Sequence, residues 1–118
     1  MHHAIIYGIP NCDSIKKTID WFKKNKLEFS FHDYKKAGIT QSKLTAWCKE
    51  AGHEILVNRK GSTWRKLTPA EQATITTQAK SIQLMLTHTS IIKRPVIEYR
   101  GKLIVGFNEQ LFGELLKS

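Results

Sequence analysis

The stretch YGIPNCDSIKK, residues 7–17, marks the point where an apolar run ends and a helical pattern begins. The preceding run AIIYG, residues 4–8, is typical of a short buried strand, and Pro10 prevents the strand from continuing. From Cys12 onward the apolar residues recur at helical spacing, which predicts an amphipathic helix. These residues are Ile15, Ile19 and Phe22. The chain therefore places a cysteine at a strand-to-helix junction.

The segment after this helix completes a β-α-β unit. LEFSFH, residues 27–32, alternates apolar and polar side chains with the period of a strand. Two strands joined through a helix are usually parallel, with a right-handed crossover. The opening of the chain therefore predicts an α/β fold.

Residues 40–90 predict a helical section inserted into this framework. One helical face ends at Gly52 and consists of Leu44, Trp47, Cys48 and Ala51. The basic segment NRKGSTWRKL, residues 58–67, is interpreted as a loop. TPAE, residues 68–71, predicts a capping box at a helix start. Ser81 is a candidate cap for the helical turns that follow it.

The last part of the chain returns to strands. PVIEYRGKLIVGF, residues 95–107, has two apolar runs on either side of Arg100 and Gly101, which favours a β-hairpin. Asn108 can cap a final helix. The predicted element order is therefore β-α-β, a helical insertion, and β-β-α.

The chain has 118 residues and a formal net charge of +9, and its length is that of one domain. No run approaches the roughly 20 apolar residues of a membrane span, and the apolar start is too short for a signal peptide. We therefore expect a cytoplasmic protein with reduced thiols and no membrane partner. The positive charge suits anionic partners such as oxyanions or glutathione, but it equally fits a merely basic surface. Because no nucleic-acid-binding motif is recognised, nucleic acid is not an expected partner.

Cys12 is the candidate catalytic residue. The N–H groups in the first turn of a helix lack intrahelical partners, so this position favours a thiolate over a thiol. Lys16, one turn further on, adds positive potential if it faces the same way. The alternative is an inert, buried side chain, since free cysteines are among the most buried residues. Cys48, which lies on the apolar helical face, is interpreted as such a core residue.

The cysteine spacing restricts any redox chemistry. Three positions after Cys12 stands Ile15, so the chain has no C-x-x-C pair. A disulfide between Cys12 and Cys48 would need Cα atoms within about 7 Å of each other, which nothing in the sequence supports. We infer a monothiol mechanism whose resolving sulfur comes from another molecule.

Several basic residues are candidates for binding an anion. Arg59 and Arg65 lie in the middle segment, while Lys93 and Arg94 directly precede Pro95. The planar guanidinium group suits carboxylates and oxyanions, although each of these residues could also be a solvated surface charge. The histidines have no ligand spacing, so no metal site is expected. They are His2, His3, His32, His53 and His88.

With these residues in place, the chain resembles the ArsC/Spx/YffB group, the arsenate-reductase-like branch of the thioredoxin fold, and above all its YffB-type members. The resemblance spans nearly the whole chain and rests on YGIPNCDSIKK, FHDYKKAGI, NRKGSTWRKL and IIKRPVIEYRGKLIVGF. It implies an α/β, thioredoxin-like (glutaredoxin-type) fold, with a four-stranded mixed sheet and flanking helices. It further implies a single domain, residues 1–118, with a core of 1–39 and 91–118 and a helical insertion at about 40–90.

The resemblance also implies an activity, that of a glutathione-dependent monothiol reductase. Cys12 is then the nucleophile, glutathione is the co-substrate, and no cofactor is bound. Pro95 is expected to form a cis peptide bond and to face Cys12. The expected substrate-binding residues are Asn11, Lys16, Arg59, Arg65, Arg94 and Pro95.

Two other functions of the group stay open. Arsenate reductases of this type use three arginines, of which Arg94 matches one. The first falls at Asn58 or, with a one-residue shift, at Arg59, and the third position holds Gly106, which disfavours arsenate. Spx-type regulators bind RNA polymerase and commonly carry C-x-x-C at the helix start. Ile15 removes that redox switch here, but it does not remove docking to a protein.

Overall fold

The computed structural model describes residues 3–117, which contain a four-stranded sheet. The strands are β1 (Ala4–Gly8), β2 (Phe29–Asp33), β3 (Val96–Tyr99) and β4 (Lys102–Val105). Their order in the sheet is β2-β1-β3-β4. Because β1 is parallel to β2 and antiparallel to β3, and β3 is antiparallel to β4, the predicted mixed sheet is confirmed.

Helices lie between and after these strands along the chain. They are α1 (Asp13–Lys24), α2 (Tyr34–Ala37), α3 (Gln41–Ala51), α4 (His53–Leu56), α5 (Ser62–Arg65), α6 (Pro69–Thr74), α7 (Gln78–Thr87) and α8 (Glu109–Leu116), with a 3₁₀ helix at Thr89–Ile91. The β-α-β unit, the intervening helices and the final β-β-α unit form a thioredoxin-like α/β fold, as predicted. Among the described residues, no helix combines the length and the apolar character that crossing a membrane requires.

The chain divides into two compact units, and the first holds the sheet, α1 and α8. It comprises the residues up to Asp33 together with those from Arg94 onward. One face of the sheet and the apolar faces of both helices form its core, because helical and strand periodicities direct these side chains to the same side. The buried residues of this core are Ala4, Ile6, Ile15, Phe22, Ile97, Tyr99, Ile104, Phe112 and Leu116.

The second unit, Tyr34–Lys93, contains α2 to α7 and the 3₁₀ helix. The insertion expected at about 40–90 lies inside this unit, which is longer at both ends. At its start, α2 follows β2 without a linker. At its end, the Lys93 N–H donates to the Leu56 carbonyl at 2.7 Å, which holds the chain against the helical section.

The second unit has a core of its own. Its largest fully buried side chains are Leu44, Trp47, Leu56, Met85, Ile91 and Ile92. Ser81 is also buried, within α7, and its hydroxyl lies 3.0 Å from His53 Nδ1. The prediction that Ser81 caps a helix is therefore wrong. Thr77 caps α7 instead, since its side chain accepts the Lys80 N–H and the helix starts one turn earlier.

Three local predictions are confirmed. Thr68 and Glu71 form the capping box at the start of α6, and each side chain bonds the other residue's backbone N–H. Asn108 caps α8 through its side-chain oxygen. Arg100 (φ 52°) and Gly101 (φ 76°) form the turn between β3 and β4 with positive φ at both positions, as a tight hairpin requires.

Candidate functional site

Cys12 is the N-cap residue of α1. Its backbone is extended (φ −121°, ψ 131°), and its carbonyl accepts the Lys16 N–H at 2.9 Å. The side chain makes no capping hydrogen bond and packs, partly buried, against the core of the first unit. The thiol is therefore carried at the positive end of the helix dipole while remaining partly accessible.

Asn11 forms the turn that leads into this helix. Its φ of 63° lies in the left-handed region, which asparagine adopts more readily than most residues. The side chain is exposed. Asn11 therefore has a conformational role in delivering Cys12 to the start of α1, and its predicted contact with substrate stays a prediction.

The strand pairing brings Cys12 and Pro95 to the same end of the sheet. Tyr7 on β1 lies opposite Val96 on the antiparallel strand β3. The chain that leaves β1 towards Cys12 and the chain that enters β3 through Pro95 are therefore neighbours. The Arg94–Pro95 peptide bond is cis, which confirms that expectation. That Pro95 faces the Cys12 sulfur stays a prediction.

Two predicted cations accompany these residues in the first unit. Lys16 is exposed in the first turn of α1, and Arg94 is partly buried just before the cis peptide. The Gly106 N–H donates to the Pro95 carbonyl at 2.8 Å, and its φ is 92°, a conformation that favours glycine. Gly106 thus adds no charge where the resemblance expects a third arginine.

Arg59 and Arg65 belong to the second unit and lie on either side of Trp64 in sequence. The Arg59 guanidinium carbon is 4.8 Å from the Trp64 ring centroid, and its Nη2 donates to the Ile75 carbonyl at 3.2 Å. These contacts favour one orientation of the guanidinium. Arg65 is exposed in α5, so the segment 58–67, interpreted as a loop, contains a helical turn. Binding of substrate by either arginine stays a prediction.

A hydrogen-bonded pair that sequence reasoning missed joins β1 to β3. The Tyr7 hydroxyl donates to Glu98 Oε1 at 2.6 Å, and the Tyr7 ring lies 4.8 Å from that of His32. Burial, followed by the hydrogen bond to Glu98, raises the pKa of Tyr7. The sequence does show a polar group, the Tyr7 hydroxyl or the Glu98 carboxylate, in each of two largely apolar strands. It does not show that these two groups are in contact.

Cys48 has a different environment from Cys12. It is buried on α3, which agrees with its interpretation as a core residue, and burial raises the pKa of its thiol. Both cysteines are free. Within residues 3–117, no group of three or more histidine, cysteine or acidic side chains is arranged to hold a metal. His2, one of the histidines considered from the sequence, lies outside the described residues.

The mixed sheet, with a cysteine after its first strand and a cis-proline before its third, defines a thiol-reductase-like member of the thioredoxin class. The sequence narrows that class further. The model of the ArsC family matches residues 7–115, and the chain belongs to this family.

Similar proteins cover nearly the full length of the chain. A solved protein named YffB has a TM-score of 0.91 and 42% sequence identity, over 96% of this chain and 98% of its own. An uncharacterized protein of Haemophilus influenzae is 33% identical over 105 residues, which is 89% of this chain and 91% of that protein. The regulatory protein MgsR of Bacillus subtilis is 29% identical over 115 residues, covering 94% of this chain and 86% of MgsR.

Proposed function

We propose that this protein is a monothiol oxidoreductase that exchanges disulfides through Cys12 with glutathione as co-substrate. The observation that carries the proposal is the placement of Cys12, a free and partly accessible thiol at the N-cap of α1. The positive end of a helix favours the thiolate, which is the form that attacks a disulfide. Membership of the ArsC family supports the same chemistry.

The surroundings of the two cysteines favour monothiol over dithiol chemistry. The residue three positions after Cys12 is the buried Ile15, so no resolving cysteine shares the helix turn. The other cysteine, Cys48, is buried, and burial raises the pKa of its thiol, which disfavours the reactive thiolate. The thiol that completes the reaction therefore belongs to another molecule, and glutathione fits this requirement.

The proposed reaction takes place in two exchange steps. The Cys12 thiolate attacks one sulfur of a substrate disulfide, so a new S–S bond forms while the substrate bond breaks. The departing thiolate takes a proton from water. A glutathione thiolate then attacks the mixed disulfide, which releases oxidised glutathione when the group on Cys12 is itself glutathione. The Cys12 thiolate is regenerated. For a substrate that is a mixed disulfide with glutathione, the net reaction consumes one glutathione thiol and yields the substrate thiol and oxidised glutathione.

The charges near Cys12 suit a ligand with carboxylates. Lys16 and Arg94 are the candidate partners within the first unit. Arg59 and Arg65 are separate candidates for substrate binding on the second unit. Arginine binds a carboxylate through two parallel N–H donors, which adds orientation to affinity. Because Arg59 already stacks on Trp64, little of its side-chain freedom remains to be lost on binding.

A glutathione-coupled assay tests the proposal. The measurement is the rate at which purified protein accelerates the reduction of a small disulfide by glutathione. We expect Cys12→Ser to abolish this acceleration and Cys48→Ala, the matched control, to retain it. Equal rates for Cys12→Ser and wild type, or loss of the activity in Cys48→Ala alone, would contradict the proposal.

The similarity to MgsR favours one alternative, a protein-binding regulator. Spx-type relatives at 25% identity are also named as transcriptional regulators. In this alternative the chain docks on RNA polymerase, and Cys12 has no role in docking. The test is a pull-down with the isolated α subunit of RNA polymerase. Binding that is equal in wild type and Cys12→Ser, together with no disulfide reduction, would favour the regulator over the reductase.

A further inference from the structure

Gly8 ends β1 four residues before Cys12, and a side chain there would collide with α1. A methyl group at this position would lie 2.9 Å from Ile15 Cγ1 and nearer still to Ile15 Cδ1. Carbon atoms in contact are normally about 3.5–4.0 Å apart. Ile15 therefore packs directly onto the backbone at the end of β1.

The structure leaves Ile15 little room to yield. The residue is 2% exposed in the core of the first unit. Rotation about its outer bond would move Cδ1 away, but the position of Cγ1 is set by χ1. A β-branched residue in a helix has one strongly preferred χ1 rotamer, so a methyl group at Gly8 would push the helix backbone.

The helix turn that would move is the one that carries Cys12. Ile15 lies in the first turn of α1, and the Lys16 N–H closes that turn on the Cys12 carbonyl at 2.9 Å. We propose that Gly8 is a positioning residue for Cys12. Its missing side chain lets Ile15 pack against β1, and this contact sets where the sulfur lies. The inference rests on the proposed function, in which Cys12 is the reacting group.

The test follows alkylation of native Cys12 by iodoacetamide at neutral pH, with Cys48→Ala as the common background. We expect Gly8→Ala to slow alkylation about threefold to tenfold, because the reagent attacks the thiolate and the first-turn N–H groups stabilise a thiolate only at short range. Adding Ile15→Ala removes the collision and is expected to restore the rate to within about twofold of Ile15→Ala alone. The double variant does not regain wild-type stability, since truncation leaves a cavity. If Gly8 affected only the stability of the fold, the alkylation rate and the free energy of unfolding would change together in the double variant.

Gly113→Ala is the matched control. Gly113 lies in α8 of the same unit, and a methyl group there would meet nothing within 4 Å. It is expected to alkylate at the wild-type rate. A wild-type rate for Gly8→Ala would overturn the proposal. So would a double variant, Gly8→Ala with Ile15→Ala, that alkylates more than about twofold more slowly than Ile15→Ala alone.

The test also covers a Gly8→Ala variant that fails to fold, and it separates the positioning role from the proposed function. If Gly8→Ala does not fold, Ile15→Ala is compared with the double variant. Equal alkylation rates support the inference, and a slower double variant overturns it. Because iodoacetamide replaces glutathione, a chain that alkylates as expected but reduces no disulfide would contradict the proposed function and not the positioning role of Gly8.

Discussion

Replacing Tyr7 with phenylalanine tests how β1 and β3 are held together at the end of the sheet that leads to Cys12. The change removes a hydroxyl that donates to Glu98 Oε1 at 2.6 Å, from a side chain that is 4% exposed. Hydrogen bonds to charged groups contribute about 1.5–3 kcal/mol. We therefore expect Tyr7→Phe to lower the free energy of unfolding by about 2 kcal/mol at pH 8, measured by urea denaturation.

The same variant has a second signature at alkaline pH. Burial and the bond to Glu98 raise the pKa of Tyr7 in the folded chain, whereas an unfolded tyrosine ionises near pH 10. The stability that this shift contributes is fully present below pH 10. It is lost progressively above pH 10, because the unfolded chain then releases the Tyr7 hydroxyl proton while the folded chain still holds it. At pH 11 that loss is about 1.4 kcal/mol for wild type and is absent in Tyr7→Phe.

The difference between the two proteins is therefore expected to narrow from pH 8 to pH 11. Glu98→Gln serves as a control, since the amide oxygen still accepts the hydroxyl but carries no charge. A wild-type and Tyr7→Phe pair that differ by the same amount at both pH values would refute the reasoning. So would a difference near zero at pH 8.

Three further predictions concern other parts of the chain. Trp64→Leu removes the ring under Arg59 and is expected to raise the KM for glutathione about threefold to tenfold, with little change in kcat, in steady-state kinetics. An unchanged KM would contradict a role for the stacking of Arg59 on Trp64. Ser81→Ala removes the hydroxyl that lies 3.0 Å from His53 Nδ1 and is expected to lower the free energy of unfolding by about 1–3 kcal/mol in urea titrations. An unchanged urea midpoint would argue against a stabilising hydrogen bond between Ser81 and His53. Arsenate is expected not to stimulate glutathione oxidation above the Cys12→Ser background, because Gly106 supplies no third cation; a clear stimulation would show that Arg94 and its neighbours suffice.

Local features of the fold could be predicted from the sequence. The capping box at Thr68, the cap at Asn108 and the helix start at Cys12 each depend on residues within four positions of one another. Such signals act between near neighbours in sequence, so no distant contact is needed to recognise them. The cis bond at Pro95 followed from the family resemblance and not from any pattern in the residues.

The contacts that shape the candidate site are long-range, and no periodicity pairs their partners. Tyr7 and Glu98 are 91 positions apart. Serine is favoured at a helix start, which makes Ser81 a candidate cap. The helix already begins after Thr77, however, and the Ser81 hydroxyl lies 3.0 Å from His53 Nδ1, 28 positions away. The sequence marks Gly8 only as the end of a strand, since its contact with Ile15 depends on how closely α1 approaches β1.

The most direct test of the account is the fate of Cys12 when the reduced protein meets oxidised glutathione. Intact mass spectrometry with peptide mapping is expected to find one glutathione, attached to Cys12 and released again by excess reduced glutathione, with Cys48 unmodified. A protein that stays unmodified at neutral pH, or that carries the adduct on Cys48, would contradict the claim that the start of α1 holds a reactive sulfur.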